Sequence, residues 1–292
     1  MTNNQVKGST EAILSAASFG LIPLFSMPVL TSGMQLPSML AYRFGIGSIV
    51  MMLVLLWRHE HLHITWTEHL QITFLALLYA VSAICLISGY RYMPSGIATT
   101  LLFSYPVWTA ILMLLFFHQK PTWRMTLAVI LAFTGVYMLS GVHAGGGIKS
   151  VVGLVMELLA GLFYAIYMVT FPHMRIRRMS SLKVNFYLFF ITTVFMMLYA
   201  LFTTGSIQPI HSTGNLINLI LLGILPTAFS NIFLVLSLKL IDSTRVAILG
   251  AFEPLTAMTV GIVVFGEPLT VAVIVGFALI IGAVMLLISK KP

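Results

Sequence analysis

The sequence predicts an all-α integral membrane protein with ten transmembrane helices in two inverted-topology five-helix repeats. Three observations predict this class: an extreme composition, ten apolar runs of membrane length, and a charge asymmetry between their connections. Hydrophobic residues make up 59% of the 292 and charged residues only 8%, with a mean hydropathy of +1.04. Soluble domains carry about 25% charged residues, so this chain lacks the polar surface to cover a water-soluble globule. The net charge of +8 does not mark a nucleic-acid partner, because the basic residues stand singly between apolar runs. Cys85 is the only cysteine and lies inside an apolar run. That excludes a disulfide framework and a CxxC metal site, and reads as a small buried hydrophobe.

A membrane span needs about 20 mostly apolar residues to cross a core of about 30 Å. Met1–Thr10 is short and polar. The run at 11–30 holds Pro23 and Pro28 without an A-x-A-like cleavage site, and is expected to be a first span, not a removable signal. Further runs fall at 37–57, 68–90, 95–117 and 123–141. After Gly145-Gly146-Gly147 come 151–172, 183–203, 215–238, 244–265 and 269–289. The connections are short, so no loop holds a soluble domain.

Lysine and arginine in the loops set orientation. With a cytoplasmic N-terminus and alternating sides, the inner set is Lys7, Arg58, Lys120, Arg124, Arg175, Arg177, Arg178, Lys183, Lys239, Arg245, Lys290 and Lys291. Only Arg91 and Lys149 fall outside, and Arg43 lies within a span. This asymmetry predicts a cell-membrane protein with both termini cytoplasmic, and losing one span would scramble it.

The two halves, 1–144 and 145–292, resemble each other. Tyr90-Arg91-Tyr92-Met93-Pro94-Ser95 precedes a span with Ser104-Tyr105-Pro106. Leu238-Lys239-Leu240-Ile241-Asp242-Ser243 precedes one with Phe252-Glu253-Pro254, at an offset of 148 residues. The same offset relates Thr122 to Thr270 and Ser82 to Ser230, while Val50–Leu53 matches Phe195–Leu198 at 145. An odd number of spans per half inverts the second half, an architecture recurrent among secondary transporters.

Phe252-Glu253-Pro254-Leu255-Thr256-Ala257, Gly266-Glu267-Pro268-Leu269-Thr270, Phe19-Gly20 and Ser104-Tyr105-Pro106 together resemble the EamA-type members of the drug/metabolite transporter superfamily. The resemblance covers essentially the whole chain. It implies a transporter, often an exporter, of small metabolites such as amino acids. One departure is His118-Gln119-Lys120-Pro121, where the first repeat of that family commonly carries a Gly-Glu pair.

Glu253 is the leading site candidate. It lies about 15 Å into its span by helical rise, where a carboxylate costs roughly 2.5–3.5 kcal/mol on insertion scales. It is expected either to contact a substrate amine or carry a proton, or to sit protonated against backbone freed by Pro254. Tyr105 is its repeat image, suited to a cavity for amphipathic solutes or to a local core hydrogen bond. Asn231, beside Ser230, glues helices or lines the cavity. Tyr79 and Ser82 occupy the matching stretch of span three. Trp108 reads as a cavity wall, a core residue or a lipid-facing one. Arg43 attracts a substrate carboxylate or snorkels to the outer interface. Glu157, near the repeat image of Glu11, is expected at the rim or as a partner for Arg43.

His59-Glu60-His61-Leu62-His63 matches the H-E-x-x-H pattern of helical zinc proteases. It opens an alternative reading as an intramembrane metalloprotease, against a plain solvated loop. A lipid flippase or scramblase is a further alternative, sharing the architecture. The expected function remains a secondary transporter, not an enzyme, with no cofactor and no ATP-binding P-loop. Its partners are a small-molecule substrate and the lipid bilayer, and either proton coupling or passive exchange fits. Spans three, four, eight and nine are expected to line the cavity, with one and six moving against them.

Overall fold

A computed structural model describes residues 3–92, 95–117, 122–139, 151–266 and 271–288. The glycine break at 145–147, Glu267, His118, His143, Lys120, Lys149, Lys290 and Lys291 lie outside the described residues. Those described fold as helices and short connections, with no strand among them. In order the helices are α1 (Asn3–Phe19), α2 (Ile22–Thr31), α3 (Leu36–Trp57), α4 (Trp66–Gly89), α5 (Ser95–Leu102), α6 (Tyr105–Phe117) and α7 (Trp123–Leu139). The second set is α8 (Val151–Thr170), α9 (Ser181–Thr204), α10 (Thr213–Gly223), α11 (Ser230–Leu240), α12 (Ser243–Leu249), α13 (Phe252–Phe265) and α14 (Val271–Ile288).

Among the described residues, seven helical stretches are long and apolar enough to cross a membrane. They are Asn3–Thr31, Leu36–Trp57, Trp66–Gly89, Val151–His173, Ser181–Thr204, Thr213–Leu240 and Ser243–Phe265. Tyr105–Phe116, Trp123–Gly135 and Ile274–Ala283 are shorter apolar stretches. The run at 95–117 falls short because its helix divides at Phe103-Ser104, just before Pro106.

Local chemistry fixes the helix ends. Thr65 and Glu68 form a capping box at the start of α4, the Glu68 carboxylate accepting from Thr65 N at 2.8 Å. Ser180 caps α9 and Asp242 caps α12 through the backbone N–H groups of Lys183 and Arg245. Gly205 and Gly266 close α9 and α13 with φ of 75° and 68°, the left-handed region where only glycine lacks a Cβ clash.

Packing pairs the two halves of the chain. α3 lies along α9, α4 along α8, α1 along α11 and α7 along α14. Large apolar side chains such as Leu53, Trp57, Leu115, Phe116, Phe202 and Val263 face outward, as a lipid-facing surface requires. Interior contacts are knitted by hydroxyls: Ser82 donates to Ala160 O on α8, and Ser230 donates to Ser15 O on α1, both at 2.9 Å. Loops tie α3 to α9 at both ends. At one end Tyr42 Oη donates to Gln208 O at 2.8 Å, and Gln208 N donates to Ser38 Oγ at 3.0 Å. At the other, Tyr187 Oη donates to Leu62 O and Lys183 Nζ to His63 O.

The tightest backbone approach is at Gly20, between α1 and α2. A Cβ there would overlap the Glu253 carbonyl and come within 2.7 Å of Thr256 Cβ. Gly45 on α3 has open space, its nearest neighbour being Thr193 Cγ2 at 3.6 Å. Gly20→Ala should therefore destabilise by about 1–3 kcal/mol through overpacking. Gly45→Ala should be neutral or more stable by up to about 1 kcal/mol, from helix propensity. Unfolding of both variants in the same detergent checks this contrast, and equal stability would contradict the packing at Gly20.

Candidate functional site

Proline chemistry builds the centre of the molecule. Pro226 cannot donate an N–H to Leu222 O, and the chain there widens into a π-helical turn, Ile224–Phe229. Thr227 Oγ1 replaces the missing donor, bonding Leu222 O at 2.8 Å. The same oxygen accepts from Arg43 Nε at 2.8 Å, and Thr227 O accepts from Asn231 Nδ2 at 2.9 Å. Pro254 acts alike on the other side. It cannot donate to Gly250 O, which instead accepts from Glu253 N at 2.9 Å where α12 gives way to α13.

Arg43 is 1% exposed, which overturns the expectation that it snorkels to an interface. Its guanidinium lies 5.1 Å from the Phe44 ring centre and 5.8 Å from that of Phe19, within cation–π range. Nη2 has no hydrogen-bond partner among the described residues. Glu253 is also 1% exposed, with Oε1 unpartnered. Arg43 and Glu253 are in electrostatic reach of each other but make no ion pair. Among the described residues the ion pair is Arg245–Asp242 at 3.0 Å.

Tyrosines fill the space around these charges. Tyr105 meets Tyr164 edge-on at 5.0 Å, and Tyr164 stacks on Phe19 at 5.8 Å and on Tyr167 at 6.2 Å. Tyr79 packs against Phe44 and Tyr167, both at 5.7 Å, and its hydroxyl accepts from Asn231 Nδ2 at 2.8 Å. The Tyr105 hydroxyl presses on Gly250, where any Cβ would overlap it. What space remains is a cavity of about 10 Å³, lined by Ser15, Phe19, Tyr105, Tyr164, Gly250 and Glu253 among others. That is room for about one water, with Glu253 in its lining.

The expected residues thus divide. Arg43, Tyr79, Tyr105, Asn231 and Glu253 share one buried cluster. Ser82 and Ser230 lie beside it, their hydroxyls committed to carbonyls on neighbouring helices. Trp108 is half-buried against the core, with Nε1 unpartnered among the described residues. Glu157 is neither at a rim nor paired with Arg43: it is 0% exposed, and both its carboxyl oxygens lack partners among the described residues.

The H-E-x-x-H match does not form a protease helix. Residues 58–65 are non-helical and His59 has φ of 52°, so the two histidines do not share a helix face one turn apart. Glu60 accepts from Ser180 Oγ at 2.5 Å, a structural tie to α9. Among the described residues no group of three His, Cys, Asp or Glu could hold a metal ion.

Sequence reasoning missed Thr227, Tyr164 and Tyr167. Signals pointed to the first two: Pro226 interrupts an apolar run directly before Thr227, and Tyr164 lies 145 residues after Phe19, the ring it stacks on.

Comparison with known proteins places this geometry. Residues 6–141 and 151–289 each match the EamA-like transporter family. An uncharacterized transporter of Archaeoglobus fulgidus is 27% identical over 65% of this chain and 66% of its own length. An uncharacterized transporter of Synechocystis sp. is 30% identical over 75% of this chain and 65% of its own. The chain thus spans just under two thirds of those two relatives. The uncharacterized transporter YvbV of Bacillus subtilis is 25% identical over 91% of this chain and 84% of its own. A solved crystal structure superposes with a TM-score of 0.79 at 16% identity, covering 96% of each chain, and so shares the fold. With both halves matched, the chain belongs to the EamA-like transporter family, and its apolar helices make it a multi-pass membrane protein.

Proposed function

We propose that this protein is a secondary transporter that exports small zwitterionic metabolites such as amino acids. In this reading ten spans form two inverted five-helix halves, with both termini cytoplasmic in the cell membrane. The spans are α1 with α2, α3, α4, α5 with α6, α7, α8, α9, α10 with α11, α12 with α13, and α14. The halves rock about the central cavity and open it to each side in turn. Export is the direction that the family resemblance implies.

One observation carries the substrate class. A buried carboxyl lines an aromatic cavity and a buried guanidinium lies behind the Phe19 ring of that lining, each with an unpartnered atom and neither satisfying the other. A substrate carboxylate on Arg43 and a substrate ammonium on Glu253 would complete both, while Tyr79, Tyr105 and Tyr164 hold its apolar part. The enclosed centre favours a soluble solute over the lipid needed for a flippase, whose groove must open to the bilayer.

Equivalent hydrogen bonds support the inverted repeat. Tyr42 and Tyr187 are 145 residues apart, and each bonds a carbonyl of the other half's loop, Gln208 and Leu62. Ser82 and Ser230, 148 apart, bond Ala160 and Ser15, carbonyls 145 apart on α8 and α1. Exchanging the halves also maps the α1–α11 contact onto α8–α4, and α3–α9 onto itself.

Orientation is testable by sidedness. A cysteine replacing exposed Ser212 in a Cys85→Ala background should react with an impermeant thiol reagent applied outside the cell. Reaction from the cytoplasmic side alone would sink both the span count and the inversion.

Glu253→Gln tests the charge. The amide keeps the size and inserts no less easily than a carboxylate, so the melting temperature should hold. Losing a charge-assisted hydrogen bond costs about 1.5–3 kcal/mol, roughly tenfold to a hundredfold in affinity. Transport in proteoliposomes should fall accordingly and its pH dependence should flatten, with a smaller loss for Tyr105→Phe. Wild-type rates with an unchanged pH profile would remove Glu253 from the mechanism.

A further inference from the structure

Seven acidic residues occur in the chain, and Glu11, Glu157 and Glu253 are all at least nine-tenths buried with an unpartnered carboxyl oxygen. The central reading uses only Glu253. Glu157 is the most confined of the three. It lies in the second turn of α8, against the last turn of α4, where a Cβ on Gly89 would overlap its Oε1. Glycine at that position is what admits the carboxyl. Tyr164, at the cavity, is two turns further along α8, about 10 Å by helical rise.

The groups facing Glu157 are few. Cys85 stands on α4, one turn before Gly89, and Tyr90 follows the end of that helix. On α6 Tyr105 sits at the cavity against Tyr164, α5 carries no titratable residue type, and on α12 Arg245 is paired with Asp242. No cation neutralises Glu157 among the described residues, and a hard metal ion would need about six or more oxygen ligands. A proton needs only the carboxyl itself.

Glu11 is a looser counterpart from the opposite end, with Lys7 one turn before it on α1. It precedes Glu157 by 146 residues, lies on α1 next to cavity-lining Ala12, and leaves Oε2 unpartnered. In the proposed orientation Glu157 stands on the outer side of the cavity and Glu11 on the inner side.

We propose that Glu157 is a proton-binding site on the outer approach to the cavity, with Glu11 as its inner counterpart and Glu253 between them. A proton from outer water binds a Glu157 carboxylate oxygen, passes oxygen to oxygen through water to Glu253 when the halves open, and leaves by Glu11. No electron moves and no other bond changes. This inference rests on the alternating-access reading above, and it supplies the gradient that drives it.

The test labels the wild-type chain with dicyclohexylcarbodiimide in membrane vesicles of uniform orientation. A neutral carboxylic acid adds its O–H across one C=N bond of the reagent, and mass spectrometry maps the adduct. An alkaline shift of the outer medium alone should lower labelling at Glu157 severalfold, and of the inner medium alone should lower it at Glu11. Labelling of Glu157 that ignores the pH on both sides, or follows only the inner side, would overturn the proposal. The labelling needs no transport, so absent L-leucine counterflow by the wild-type protein would count against the transport reading alone. Glu157→Gln should keep that counterflow and lose its response to a proton gradient, and an unchanged gradient response would also overturn it.

Discussion

Arg43 and Glu253 are two charged residue types held in an interior of low dielectric, close enough to influence each other and yet not in contact. The rest of the structure follows from that constraint. Burying an ionised group costs several kcal/mol unless it is paired and hydrogen-bonded, and membrane interiors offer no water to relieve it. Thr227 and the faces of Phe19 and Phe44 give Arg43 partial relief. They leave atoms on both residues unpartnered. Under the proposed function, these unmet atoms are what a ligand carrying both complementary charges would complete.

The helix breaks serve the same centre. Proline at 226 and 254 removes a backbone donor, and in each case a neighbouring group takes over the freed carbonyl. The chain thereby bends, or widens into a π turn, without leaving a buried backbone group unmet, which hydrocarbon would penalise. Gly20 and Gly250 add close approach: one lets α1 lie on the Glu253 backbone, the other receives the Tyr105 hydroxyl. Charge, bend and close contact therefore meet at one place. Ties at both ends hold α3 to α9.

Much of this was legible in the sequence. Apolar runs located the helices because membrane length is a strict requirement, and Glu253-Pro254 announced itself as a carboxyl beside a backbone break. Arg43 was harder. In a chain whose helices are apolar on every side, periodicity does not separate the faces that meet lipid from those that meet protein. For the same reason Tyr164 and Tyr167 were indistinguishable from other aromatics. The π turn at 224–229 depends on how Thr227 answers Pro226, which no residue pattern encodes alone. The H-E-x-x-H match shows the converse case: the letters were present, but the segment 58–65 is not a helix, so the spacing carried no geometry.

The proposal at the centre is that the two unpaired charges bind a zwitterion. It is tested most directly by ligand-induced thermal stabilisation of the purified protein with L-leucine, its decarboxylated amine and its deaminated acid. The account predicts stabilisation by the amino acid and little by either single-charge analogue, with the difference abolished in both Arg43→Met and Glu253→Gln. Equal stabilisation by all three ligands, or a response to L-leucine untouched by either substitution, would contradict it.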